Sequence, residues 1–503
     1  MAKSRREVLI SGGVIGAGLI AADFSITKAF AAQPPLRVSL QGLAWNDPIV
    51  ETYRDAVAIM QGKPAGDPQN WTTLCHIHGT SQFAYHFCPH GNWYLLPWHR
   101  AYVVTYEKIV RAVTGNQNFA MPYWDWTANP LLPEQFTSAT LPNNQPNALF
   151  VATRTWPAAT PMPANIVGPS VLQTVMQASP FEVFGTTRPV GQNSLAQSWI
   201  VNKSGSQGTL EATPHNQVHN NIGGWMPSPM SPMDPIFFMH HSNIDRIWDA
   251  WNHAGNANSP DPLWTDMTFQ NNFVHPDGTP WSPQVKDLQV PEDLGYTYHL
   301  QLVASQTKNL VLLENELIRL IKYLKNPGGP VEEGFVVYGL ERANMQAMGA
   351  KTHLDLAVRT SADLIARVRA RKNPLRAARG NNFREAAEAH APGTHAYVLL
   401  TNVDASDPSN AEYRVFLNAD NPTPSTPVSD PHYVGSFAIL KHVMSHGDMS
   451  MMPSFMIDVT DTLARVGGKG DTLNLQIVPV PVSRSVKAGV LGVERVQVAF
   501  VTP

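Results

Sequence analysis

The segments PHNQVHNN (214–221) and DPIFFMHHSNIDRIWDAW (234–251) decide how this chain is read. His215 and His219 are four residues apart, so a helix places them on one face, one turn from each other. Asp234-Pro235 supplies a cap residue followed by proline at the first helical position. A helix from Pro235 carries His240, His241, Asp245 and Trp248. Three imidazoles can then meet at one point: His215, His219 and one of the adjacent pair His240/His241. Imidazole trios suit zinc, copper, iron and nickel. Polar-face histidines on two amphipathic helices are the bland alternative, and the combined pattern is too specific for it.

A second stretch repeats the arrangement upstream. From Cys75 the chain reads CHIHGTSQFAYHFCPHGNWYLLPWHRAYVVTYEKIVRAV. Pro97 predicts a helix start, with His99 in its first turn and Tyr102, Val103, Tyr106 and Val110 continuing it. His90 precedes His99 by nine residues. At about 100° per residue, one helix would set them on opposite sides. His90 must therefore approach from non-helical backbone, and a third ligand must come from His76, His78 or His86.

These residues resemble the two copper-binding motifs of the type 3 copper proteins, the tyrosinases, catechol oxidases and haemocyanins. The likeness rests on Cys88-Pro89-His90, LPWHR ending at Arg100, Tyr106-Glu107, PYWDW at 122–126, HNQVH at 215–219 and DPIFFMHHSNIDRIW. It covers residues 74–251. It implies two copper ions. CuA takes His78, His90 and His99, with His78 preferred for its Ile77-His78-Gly79 context. CuB takes His215, His219 and His241. Cys88 resembles the fungal-type cysteine whose sulfur bonds to the His90 ring. A buried thiol, or a disulfide to Cys75, is the alternative.

The ligand chemistry agrees with that resemblance. Six neutral imidazoles without a bridging carboxylate suit a pair of copper ions that reduce O2, whereas two-metal hydrolases usually recruit Asp or Glu. Asp125 and Asp245 read as residues that orient ring N–H groups. Asp245 equally reads as a surface charge paired with Arg246. Glu211 and Asn216 resemble the family pair that holds a water near CuB, which could take a proton from a phenol. A helix N-terminal charge and a turn residue are their plainer readings. Asn220 is placed at the pocket mouth.

The first residues, MAKSRREVLISGGVIGAGLIAADFSITKAFAAQ, look like a twin-arginine export signal over 1–32. The apolar run is short and glycine-rich for a membrane span. Export to the periplasm or beyond is expected, with no stable membrane insertion. Net charge is −3, so no basic stripe suggests nucleic acid. Charged residues make up 15%, below the ~25% typical of soluble chains, and 42 Pro and 13 Trp point to a loop-rich, well-buried enzyme. Two cysteines rule out a disulfide framework.

The expected architecture is a mainly α catalytic domain over 33–305, a helical bundle holding a dicopper site. Asp47-Pro48 opens a helix there, with Tyr53, Val57 and Met60 on one face. A helical connector follows over 306–395, with leucines at helical spacing across 308–325. A mainly β C-terminal domain, a sandwich or a barrel, follows over 396–503; through YRVFLN (413–418) and PHYVGSF (431–437) it resembles the C-terminal domain that covers the copper site in plant and fungal relatives, which implies that it covers the site here. There Leu473, Leu475 and Ile477 alternate with polar residues, as do Val496, Val498 and Phe500. KHVMSHGDMSMMPS (441–454) reads as a Met-rich gap-filling loop or a copper-delivery loop. The expected activity is that of a tyrosinase acting on phenols with O2. A catechol oxidase, a haemocyanin-like carrier and a two-zinc hydrolase are the alternatives.

Overall fold

The computed structural model describes residues 34–81, 84–298, 335–339, 353–359, 395–405, 411–440, 452–467, 472–482 and 491–501. The expected export signal, the helix over 308–325 and residues 441–451 of the Met/His stretch lie outside the described residues.

Four helices position the histidines. Helix α1, Pro48–Gly62, starts where Asp47 accepts the Ile49 N–H at 2.9 Å, and buries Tyr53, Val57 and Met60. Helix α2, Leu95–Thr114, ends on Gly115 in a left-handed conformation, φ 74°. It begins two residues earlier than Pro97 predicts. The first N–H groups of a helix have no partner within it, so a proline at the third position removes no bond. Helix α3, Asn216–Ile222, follows a wide turn at Glu211–His215 that is interrupted by extended backbone at Thr213. Helix α4, Ile236–His253, is entered where Asp234 accepts the Ile236 N–H at 3.0 Å.

A buried charge network clamps α2 to α4. Asp245, one turn beyond His241, accepts Arg100 Nε and, at 3.1 Å, Arg37 Nη1. Tyr296 and Tyr298 each place a hydroxyl 2.7 Å from the same carboxylate. Arg37 also donates to Glu107 at 2.9 Å and stacks 3.4 Å from the Tyr296 ring centroid. Arg111 completes the set, donating to Glu107 at 2.7 Å. Burial alone would raise the Asp245 carboxyl; Arg100 and Arg37 outweigh it and hold it below its ordinary value. Through Arg37 the network also ties in the parallel pairing of Leu36–Arg37 with Thr297–Tyr298.

Two sheets form the C-terminal part. In chain order the strands are β1 Ser206–Gln207, β2 Phe335–Gly339, β3 Leu354–Arg359, β4 His395–Ala405, β5 Ala411–Leu417, β6 Tyr433–Phe437, β7 Ser454–Asp458, β8 Thr472–Pro481 and β9 Leu491–Val501. One sheet runs β1-β7-β4-β9-β2 and the other β6-β5-β8-β3. Their inward rows, including Leu473, Leu475, Ile477, Val496, Val498 and Phe500, build a core separate from that around the helices. The expectation of a mainly β C-terminal domain therefore holds, with its two sheets packed as a sandwich. The expected helical connector does not hold at 335–339 and 354–359, which are strands. Leu354, Leu356 and Val358 are buried and Asp355 and Ala357 exposed, a period of two. Strand β1 belongs in sequence to the helical part and pairs in parallel with Ser454 and Phe455.

Replacing Asp245 with Asn should cost about 3–5 kcal/mol, because two buried guanidinium groups lose their counter-charge. Urea unfolding reads this directly. A loss below about 1 kcal/mol would show that the network does not hold α2 to α4.

Candidate metal centre

Two clusters of buried side chains face one another between α2, α3 and α4. The first is His78, Cys88, His90 and His99; the second is His215, His219, His240 and His241. Within each, one ligand atom per residue lies within 4.8 Å of the others. His76 and His86 join neither cluster, and His86 is exposed. His90 stands on irregular backbone before α2, as its spacing requires. The His99 and His241 rings stack across the centre at 4.1 Å and 8°. Phe237 wedges between the clusters, its ring 5.3 Å from His78 and 4.2 Å from His241.

Hydrogen bonds fix which ring nitrogen carries the proton. Nδ1 of His78 meets the Pro229 carbonyl at 2.5 Å, that of His99 the Leu95 carbonyl at 2.8 Å, and that of His219 the Met226 carbonyl at 2.7 Å. A carbonyl only accepts, so each Nδ1 donates and each Nε2 keeps its lone pair. His215 reaches the same state through Asn216. Asn216 Nδ2 donates to Gln207 at 2.8 Å and to the Ala438 carbonyl at 3.0 Å, which turns Oδ1 toward His215 Nδ1 at 2.9 Å. His215 Nε2 is buried without a hydrogen-bond partner among the described residues. His219 and His241 bring their Nε2 atoms to 3.2 Å. Burial drives these imidazoles toward the neutral form, His215 down to about 4. The arrangement is lone pairs converging in a dry space, and it fits soft or borderline metal cations.

Cys88 Sγ lies 3.3 Å from His90 Nδ1 and 3.4 Å from His99 Nε2. Cys75 and Cys88 are both buried free thiols, so the disulfide alternative is absent.

Asp125 and Asp245 do not orient histidine rings. Backbone carbonyls take that part for three rings. Asp245 is spent on two arginines and two tyrosines. Nor does it pair with Arg246: that arginine pairs with Asp125 at 3.2 Å. Asp125 also caps the Thr127 and Ala128 N–H groups.

Glu211 bridges the two halves. Its carboxylate accepts the Gly91 N–H, next to His90, at 2.7 Å and the Thr186 hydroxyl. Burial pushes its carboxyl up to about 8, against the pull of those bonds and of Lys203. Lys203 was not anticipated; it is buried, 3.5 Å from the Tyr85 ring centroid, and burial lowers its ammonium to about 7. The segment after β6 crosses the second cluster. Asn220 Nδ2 donates to the Ile439 carbonyl at 3.0 Å, Thr213 to the Ser436 carbonyl at 2.5 Å, and Ala438 N to Ala212 O at 3.3 Å. Asn220 thus meets the C-terminal part through a backbone carbonyl.

Residues 68–254 match the family described as the common central domain of tyrosinase. This match takes in both histidine clusters. Residues 378–495 match the chloroplastic polyphenol oxidase C-terminal domain. The chain is 30% identical over 295 residues to a tyrosinase of Hahella sp., covering 50% of this chain and 61% of that protein. It is 26% identical over 301 residues to chloroplastic polyphenol oxidase A1 of Vicia faba, covering 54% and 48%. The alignments thus span about half to three-fifths of these curated relatives. A latent aurone synthase (polyphenol oxidase) shares the fold, with TM-score 0.62 and 19% identity over 94% of this chain and 90% of that one. The tyrosinase domain contains every expected ligand in its two clusters, and the β part beyond it has its counterpart in that structure. Among the described residues no helix is long and apolar enough to cross a membrane.

Proposed function

We propose that this chain is a copper-dependent phenol oxidase. It takes CuA at His78, His90 and His99 and CuB at His215, His219 and His241. It uses O2 to ortho-hydroxylate monophenols and to oxidise o-diphenols to o-quinones. One observation carries the reading: two buried imidazole clusters face each other, and among the described residues no carboxylate joins their candidate ligands. A copper pair held there would supply the electrons for O2 reduction, and the all-imidazole shell argues against a hydrolytic zinc pair.

The chain's own groups do the rest. The Pro229, Leu95 and Met226 carbonyls hold three ring protons on Nδ1. Asn216 does so for His215. Glu211, buried with its carboxyl raised to about 8, becomes a base for a phenol proton as pH rises through that value, directly or through a water. Asn220 borders the space a phenol enters. Cys88 sits close enough to His90 for a thioether between them. The carbonyls of Ala438 and Ile439 occupy the amides of Asn216 and Asn220, so the C-terminal domain closes the CuB side until it moves. This closed form is also what favours the carrier alternative.

The deciding measurement uses tyramine and catechol on the copper-loaded protein, before and after proteolytic removal of the C-terminal domain. Both substrates should be consumed, faster by about tenfold or more after removal. His241→Ala should drop bound copper from about two to one per chain and abolish turnover. Catechol consumption alone would make the protein a catechol oxidase. No turnover even without the C-terminal domain would leave a carrier. Glu211→Gln should reduce monophenol turnover about a hundredfold and diphenol turnover much less; equal losses would remove the proton-accepting role.

We further infer that Ser4-Arg5-Arg6 directs twin-arginine export, with loss of residues 1–32. An Arg5→Lys, Arg6→Lys variant should stay inside the cell as full-length precursor. Normal export of that variant would refute this route.

A further inference from the structure

The second cluster contains four imidazoles, one more than a trio needs. His240 and His241 are neighbours in sequence, and both offer a ligand atom within 4.8 Å of those of His215 and His219. His240 is fully buried. Its ring lies 5.4 Å from His215 at 30° and stands edge-on to His219 at 4.9 Å. Nothing in its distance from the cluster excludes it as a ligand.

Its hydrogen bond does. Trp126 Nε1 lies 3.3 Å from His240 Nδ1. An indole N–H only donates, so Nδ1 must accept. A neutral imidazole has one accepting nitrogen, and here that lone pair points at Trp126. The proton is left on Nε2, which has no hydrogen-bond partner among the described residues. His240 therefore stands beside the cluster with no lone pair to give a cation. Among the described residues His241 Nδ1 and Nε2 meet no such donor.

We propose that Trp126 is a positioning residue that keeps His240 off CuB, so that CuB has three imidazole ligands and an open side. The inference rests on the copper reading above. Catalytic metal sites keep a position open for water, O2 or substrate. A fourth imidazole would close it. Without the indole N–H, moving the ring proton to the other nitrogen costs His240 no hydrogen bond, and its lone pair becomes available. Trp126 is itself buried, with its backbone N–H held by the Trp124 carbonyl at 3.0 Å, so the indole is well placed to act as a fixed donor.

Trp126→Phe, His240→Phe and the double variant test this in the full-length chain. Three readouts apply: copper per chain, coordination number from X-ray absorption, and the near-ultraviolet absorption that the copper-loaded protein gains with peroxide. Wild type and His240→Phe should hold about two coppers and show the absorption. Trp126→Phe should keep its copper, gain a nitrogen ligand and lose about tenfold of the absorption. The double variant should recover it, which repair of a merely structural defect would not achieve. Full absorption in Trp126→Phe, no recovery in the double variant, or loss of a copper in His240→Phe would each overturn the proposal. Nitrogen-15 spectra of metal-free wild type separate this inference from the copper reading. They should report His240 protonated on Nε2. A proton on Nδ1 defeats the inference alone, and a correct tautomer in a protein that binds no copper defeats the functional reading alone.

Discussion

The pairing of Arg100 with Asp245 is the constraint on which the rest of the structure depends. Arg100 follows His99 directly, and Asp245 lies one turn beyond His241. Joining them presses α2 against α4 at the level where the His99 and His241 rings stack at 4.1 Å. Such a pair gains little against a well-packed apolar substitute, yet removing one partner leaves an uncompensated charge in the interior. The site's geometry is thereby made all-or-none. The helices are held together by charges that tolerate no slippage, and the two histidines are carried with them.

The second constraint is dryness. Imidazoles so fully buried cannot hold protons as cations, because burial penalises the charged form. They must stay neutral, and then each has one lone pair to place. Backbone carbonyls at Leu95, Met226 and Pro229 and the Asn216 side chain take the N–H side. The lone pairs are left facing one another, an arrangement that repels itself unless a cation sits between them. The fold therefore stores part of its own affinity for metal, with folding and metal binding linked through the same atoms.

Much of this centre is legible in the residues. His215 and His219 at helical spacing, the His240/His241 pair after Asp234-Pro235, and His90 stranded before Pro97 each limit where an imidazole can go. The β period at 472–481 and 491–501 marks the sandwich. The remainder is hidden for physical reasons. A carbonyl that fixes a tautomer has no side-chain signature, so Pro229 and Met226 could not be foreseen. Asp245 sits at a spacing that suits a histidine partner, but arginine and tyrosine outcompete imidazole for its buried carboxylate, and Asp125 is taken by Arg246. Strand 354–359 offers only three buried apolar positions, too few to stand out beside an alanine- and arginine-rich neighbourhood. Glu211 is visible four residues before His215, but its bond to the Gly91 N–H depends on a contact 120 residues away.

The closing segment links these constraints. Asn216 faces His215 with its oxygen because its amide hydrogens are taken by Gln207 and Ala438. Gln207 lies on β1, the strand that the helical part lends to the C-terminal sheet beside Ser454 and Phe455. One asparagine thus reads the position of the C-terminal domain twice, through a side chain on the shared strand and through a carbonyl on the covering segment. Withdrawing Ala438 leaves Asn216 still held by Gln207, so His215 keeps its tautomer while one amide hydrogen becomes free. Withdrawing the shared strand as well would release both contacts and let the amide rotate, removing the acceptor from His215 Nδ1. Uncovering the site without disordering it therefore requires that β1 stay with the helices when the covering segment leaves. Thr186 and the Gly91–Gly205 backbone contact, both on the helical side, are the attachments that can hold it there.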